Sequence, residues 1–410
     1  MSAIVLLLLG LGGMAAGYLF YSRFIATRIY KLDPDFRTPA HEFEDGVDFV
    51  PTNRFVLWGH HFTSVAGAAP IVGPAIAVIW GWLPAFLWVV FGTIFFAGVH
   101  DSGALWASVR NRAKSVGALT GEVVGRRART VFMIVIFLVL LMVNAVFGVV
   151  IAKLLINNPG AVVPVWGAIA VALVIGQLIY RRVIGLGVVS VVGVIALYSL
   201  IYIGPQVPVE LPEQVGLSAN ASWILLLFAY AAIASLLPVW VLLQPRDYIN
   251  GLQLFVGLIL LYGAVLIGNP QVVAPMINSD VPAGTPSLLP LLFVTIACGA
   301  ISGFHGLVAS GTSSKQLDKE PDARFVGYFG AVGEGALALA AIIAATAGFA
   351  TLADWQAVYT AFGDGSLTAF VNGGANILAG GTGMDVGVAA TLLTVMAALF
   401  AGTTMDTGLR

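Results

Sequence analysis

Four of the five histidines in this chain, His60, His61, His100 and His305, fall inside apolar stretches. Asp101 follows His100 directly, and Glu334 stands alone in another apolar stretch. An ionisable side chain in hydrocarbon is costly and usually marks a pathway or coupling site. Imidazole changes charge near neutral pH. His61, His100, Asp101, His305 and Glu334 are therefore expected to pass protons. The plainer alternative is local: a histidine caps a carbonyl and Asp101 closes a structural hydrogen bond. Three histidines and a carboxylate also have the chemistry of a zinc site. No His-Glu-x-x-His pairing is present, however, and the adjacent His60 and His61 leave a helix on different faces, so no metal is expected.

Backbone groups offer a second kind of chemistry. Gly67, Pro70, Gly73 and Pro74 fall within eight residues of one apolar stretch. Proline removes a donor and clashes with the preceding turn, so the helical ladder should break there, near mid-membrane. A half-helix N-terminus carries partial positive charge and accepts a carboxylate. Gly67, Ala68, Ala69, Pro70 and Gly73 are expected to let substrate approach the backbone, with Thr63 and Ser64 one turn away. Those two hydroxyls could equally bond back to a carbonyl of their own helix. A second break is expected at Ser235 to Pro238, facing the first. Ser310, Thr312 and Ser313 lie beside glycines and could ligate sodium or cap a helix end; Thr403, Thr404 and Asp406 end another stretch in the same way.

The elements that hold these residues follow from composition. Of 410 residues 59% are hydrophobic and 10% charged, where a soluble domain carries about 25% charged residues. Mean hydropathy is +0.96. No water-soluble surface can be built from this, and no basic patch points to nucleic acid. The one cysteine, Cys298, excludes an intramolecular disulfide. A spanning helix needs about 20 apolar residues. Eleven stretches qualify: 2–21, 55–79, 82–107, 131–155, 161–180, 183–204, 222–243, 248–268, 287–311, 325–350 and 386–404. The first lacks a basic leader and a cleavage site, so it is expected to be retained as a helix.

Alternate threading of these spans puts eighteen of the nineteen Lys and Arg residues on one side, Arg246, Arg181 and Arg182 among its loops, with Lys153 the exception. Basic loops stay cytoplasmic, so the N-terminus is expected outside and the C-terminus inside. The acidic loop 32–54 is then cytoplasmic. The long outside loop 351–385, with its apolar patch Leu367 to Leu378, is either an ordinary loop or a short amphipathic or re-entrant helix over an outer vestibule. Spans 2 and 7 run in opposite directions, five apart. Broken helices in matching positions point to a transporter site. The expected fold is thus an all-α membrane protein: an N-terminal helix and loop (1–53), then two five-helix units of inverted topology (54–204 and 222–410), with helices 2 and 7 discontinuous.

At these residues the chain resembles the carbon-starvation protein A family of membrane transporters. The likeness is carried by Trp58 to Pro74 (WGHHFTSVAGAAPIVGP), Val99 to Gly103, Gln244 to Tyr248, Gly303 to His305 with Ser310 to Gln316, and Thr403 to Thr407. It covers nearly the whole chain. The resemblance implies a prokaryotic cytoplasmic-membrane carrier for small nutrients, with peptide or proton-linked pyruvate uptake. The family pattern usually continues past Thr407 with further spans, so this chain is expected to be a short member or part of a longer one.

The expected function is import of a small carboxylate-bearing nutrient, pyruvate or short peptides, by proton symport and alternating access. The expected partners are that substrate and the lipid bilayer; no feature bears on oligomeric state. No cofactor is expected, because no P-loop, Rossmann fingerprint or nucleophile elbow is present; a proton or sodium gradient would drive uptake. A channel lined by the same breaks, or a membrane-embedded metal hydrolase, are the rival readings.

Overall fold

A computed structural model describes residues 1–180, 185–211 and 217–409. Arg181, Arg182 and Arg410, three of the charges counted in the threading, lie outside the described residues. The described residues form helices joined by loops, with two isolated bridges, Ser2 with Gln271 and Thr52 with Leu317. Among them, nine helices are long and apolar enough to cross a membrane, or ten if one bent pair is counted as a single span.

The helices that matter here are α1 (Ala3–Ile29), α2 (Arg54–Ala66), α3 (Ala69–Trp80), α4 (Trp82–Arg110) and α5 (Arg126–Asn157). They continue with α6 (Val162–Tyr180), α7 (Leu186–Ile203), α8 (Ala219–Leu236) and α9 (Leu243–Gly268). Last come α10 (Leu288–Ala300), α11 (Phe304–Gly311), α12 (Arg324–Ala347), α13 (Ser366–Thr382) and α14 (Val386–Leu409).

The helix ends sort into two sets, as alternate threading requires. At one end the backbone of Ala3 and Val272 joins residues 1–3 to 270–272, and Trp82 bonds to Pro275. At the other, Arg110 meets Glu320, His41 meets Asp318 at 2.7 Å and Lys315 reaches Asp48 at 3.5 Å. This second set is the basic end. Lys153 sits exposed near the far end of α5.

α12 is the central column. Its Gly333 and Gly335 let Phe62 and Thr93 approach so closely that a Cβ would stand 3.0 and 2.5 Å from them. Small residues replace the hydrophobic drive that is missing between helices in lipid. α5 is peripheral and turns Val131, Phe137, Leu138 and Met142 outward, as a lipid-facing helix does.

Two expectations about the elements change. Span 7 is not broken: α8 runs unbroken to Leu236 and simply ends. Leu237 is extended (φ −76°, ψ 150°), as a residue before proline must tend to be, and Pro238 lies in the turn leading to α9. The second interruption is instead in span 9, where α10 and α11 are separated by Ile301 (φ −146°, ψ 30°) to Gly303. Neither half passes as a full span, which is why eleven expected crossings yield ten by length. Pairing of spans 2 and 7, on which the inverted repeat rested, therefore finds no support. The patch Leu367 to Leu378 belongs to a true helix, α13, entered through Gly365 (φ 75°) and left through Gly383 (φ 73°), left-handed positions that suit glycine. It packs on α9, α12 and α14.

Candidate functional site

The break in span 2 bends α2 against α3 by 44°. Gly67 makes it, with φ 56° and ψ −153°; a Cβ there would also stand 2.8 Å from both Phe147 and Thr404. Carbonyls released from the end of α2 find partners on α14. Thr403 Oγ1 donates to Thr63 O at 3.0 Å, and Thr404 Oγ1 to Ser64 O at 2.9 Å. The first turn of α3, with Pro70 in it, has no side-chain cap. Gly73 presses α3 onto α10: a Cβ would be 2.4 Å from Thr295 O. Thr63 Oγ1 bonds back to Gly59 O at 2.8 Å, the plainer of its two readings. Ser64 Oγ instead reaches Thr407 Oγ1 at 3.2 Å and Asp247 Oδ2 at 3.4 Å. Ser235 and Pro238 do not join this site. Ser235 Oγ donates to Ala232 O within its own last turn, on a helix that packs against α5 and α14. The neighbours of Gly67 and Gly73 come from Phe147, Thr404, Thr295 and Ile296 instead.

Three of the expected relay residues form one buried chain across α4, α11 and α12. His305 Nδ1 meets Asp101 Oδ2 at 2.8 Å, and His305 Nε2 lies 3.1 Å from Glu334 Oε2. The second contact is close in distance but poorly directed, and neither Glu334 oxygen has a protein hydrogen-bond partner. His100 bonds Asp101 Oδ1 at 3.0 Å, yet its side chain is 46% exposed, so it stands at the rim of the chain. His61 is buried but separate: its Nδ1 pairs with Ser313 Oγ at 2.8 Å and its Nε2 is unpaired. Of the hydroxyls proposed for sodium, Ser313 is thus held by His61, and Ser310 donates to Gly306 O at 2.7 Å. Thr312 lines a cavity described below. Among the described residues no group of three His, Cys, Asp or Glu side chains is arranged to hold a metal ion.

A second buried cluster was not expected. Arg246, counted as a loop charge from the sequence, sits in the first turn of α9 and is 2% exposed. Its Nε and Nη2 donate to Asp247 Oδ1 at 2.9 and 2.5 Å, and its Nη1 to Tyr230 OH at 2.6 Å. Both oxygens of Asp406, on α14, accept from the same guanidinium, one of them at 3.1 Å. Asp247 Oδ2 is held by His60 Nδ1 at 2.7 Å. The signal was present in Gln244 to Tyr248 and in Asp406. It was missed because a charge at a span end reads as a loop residue. His60 and His61 do point to different partners, as their adjacency requires.

Two cavities lie at opposite ends of this charged layer. One, of about 300 Å³, opens at the basic end between Lys315 and Ser115 and reaches Phe304 and Thr407. The other, of about 550 Å³, is lined at the opposite end by Asn157, Asn158, Asn372, Thr391 and Thr394. Thr394 and Thr407 are both on α14, and the helix between them is buried throughout except at Gly402. At 1.5 Å per residue this is roughly 20 Å of packed helix.

The arrangement is a helical bundle with buried charged side chains beside a broken helix pair and a cavity at each end. The chain belongs to the family described as carbon starvation protein CstA, whose model matches residues 2–353. It is 38% identical over 340 residues to the pyruvate/proton symporter BtsT of Escherichia coli K12, covering 80% of this chain and 47% of that one. It is 36% identical over 353 residues to the peptide transporter CstA of Campylobacter jejuni, covering 84% and 50%. The peptide transporter CstA of Bacillus subtilis is 34% identical over 351 residues, covering 85% and 58%. These names are those of transporters, not enzymes. The chain spans about half the length of the curated relatives it matches. No solved structure matches it.

Proposed function

We propose that the protein is a secondary transporter that imports a small carboxylate-bearing nutrient, pyruvate or a short peptide, together with protons. The observation that carries this is the buried chain Asp101–His305–Glu334, which links three helices by buried titratable groups. Such residues inside spans mark ion pathways by default. The names of the relatives support the same reading, one with pyruvate and protons and the others with peptides. Among driving ions, protons are favoured over sodium because the Ser310 and Ser313 hydroxyls are already engaged.

Substrate carboxylate would be received at Gly67 to Gly73, on the uncapped start of α3 with its partial positive charge. His61 and His100 would hand protons to and from the ends of the chain. Alternating access would come from one group of helices rocking against the rest around this layer. The basic end would face the cytoplasm of a prokaryotic cell, with the N-terminus outside.

Counterflow of labelled pyruvate and of dipeptides in proteoliposomes tests this, with and without a proton gradient. Expected is saturable exchange, with accumulation that needs the gradient and is lost in His305→Gln. Full gradient-driven accumulation by His305→Gln would remove the relay. Saturable exchange of neither solute would remove the function.

A further inference from the structure

The cluster around Arg246 is not used by the reading above. It holds two carboxylates, Asp247 and Asp406, and one guanidinium, all buried. The other groups that face it are Tyr230 on α8 and His60 and Ser64 on α2. His60 bonds Asp247 through Nδ1, and its Nε2 is buried without a partner. Arg246, Asp247 and Asp406 together carry one net negative charge when ionised.

The two carboxylates are not equivalent. If Arg246 turned away, Asp247 would keep His60 at 2.7 Å and Ser64 at 3.4 Å. Asp406, among the described residues, takes its hydrogen bonds from Arg246 alone. A buried carboxylate stripped of its donors protonates instead of remaining charged. Asp406 is also next to Thr407, which lines the cavity at the basic end, so water can come within one residue of it.

Beside the guanidinium is a small void of about 30 Å³, lined by Arg246, Tyr230, Trp166, Ile151, Leu227 and Met405. One cation and one phenol stand in a wall that is otherwise apolar. This suits a carboxylate carrying a short apolar body. At that volume the void holds about one water molecule, so a ligand enters only as its walls part.

Resting on the transporter reading, we infer that Arg246 is the anchor for a small monocarboxylate and that Asp406 is its competitor, released by taking up one proton. The Arg246 hydrogen bonds to Asp406 break, those to the ligand carboxylate form, and the proton goes to an Asp406 oxygen. One negative charge then remains in the cluster before and after. This assigns the carboxylate anchor to one guanidinium, in place of the start of α3, and the exchanged proton to one carboxylate; the His305 chain keeps the relay role given above.

The test uses pyruvate as the probe and the whole protein in proteoliposomes. Asp406→Asn mimics the protonated carboxylate and keeps its shape. Expected is pyruvate exchange that no longer varies with pH, with loss of accumulation against a proton gradient. Arg246→Lys keeps the charge but not the forked geometry; its KM should rise about tenfold or more. Proton uptake on pyruvate binding, followed with a pH dye, should fall from about one per ligand in wild type to none in Asp406→Asn. Gradient-driven accumulation by Asp406→Asn, or an unchanged KM in Arg246→Lys, would overturn the assignment while leaving a wild-type exchanger intact. Absence of wild-type exchange would instead remove the transporter reading itself. Arg246→Lys decides the matter if Asp406→Asn does not fold.

Discussion

Asp247 serves Arg246 with one oxygen and His60 with the other. Its removal should therefore be the most damaging single change in the charged layer. Asp247→Ala leaves a buried guanidinium short of acceptors, and breaking a buried pair costs about 3–5 kcal/mol. The thermal midpoint of the purified protein should fall accordingly, and Asp247→Asn should recover part of it. Thr403→Val and Thr404→Val each orphan a buried carbonyl of α2, at about 1–3 kcal/mol apiece, again read as a lowered midpoint. At this scale sequence reading went as far as the cost of burying charge could take it. Asp101, His305 and Glu334 stand inside their expected spans, so their burial was legible, and they do meet. Arg246 stands at a helix start, where the same residue type is normally solvated. Only the fold, by bringing Asp406 across from α14, makes it an interior residue. His100 went the other way, because the face it takes on α4 depends on what packs there.

Among the helices, the interruption at Gly67 was legible because two prolines and two glycines crowd one stretch. Its counterpart was misplaced for a physical reason. A proline breaks a helix only where the chain would otherwise continue, and Pro238 falls where α8 was ending. The real gap, at Ile301 to Gly303, contains no proline and shows only as glycine among apolar residues. Pro238→Ala should thus leave uptake within about twofold of wild type, as substitutions away from special features do. Gly73→Ala should not: its methyl would meet the Thr295 carbonyl at 2.4 Å. Backbone cannot give way as a side-chain tip does, so α3 and α10 must part, and both the thermal midpoint and pyruvate uptake should drop.

For the molecule as a whole, composition alone was enough to read a helical bundle of membrane-length apolar helices, and the charge bias proposes which end is cytoplasmic. What it could not supply was the packing of α13 onto α12 and α14, since a 17-residue amphipathic stretch reads equally as a surface loop. Orientation is open to direct labelling. With Cys298 replaced by serine, a cysteine at Ser2 should react with an impermeant maleimide on intact cells, and one at Glu44 only after the membrane is opened. The reverse pattern would turn the molecule over. A last consequence follows from two carboxylates sharing one guanidinium in the interior. A solute anion that enters with one hydrogen ion moves no net current. Clamping vesicles at different potentials with potassium and valinomycin should then leave the rate of pyruvate entry unchanged, while an imposed pH step accelerates it.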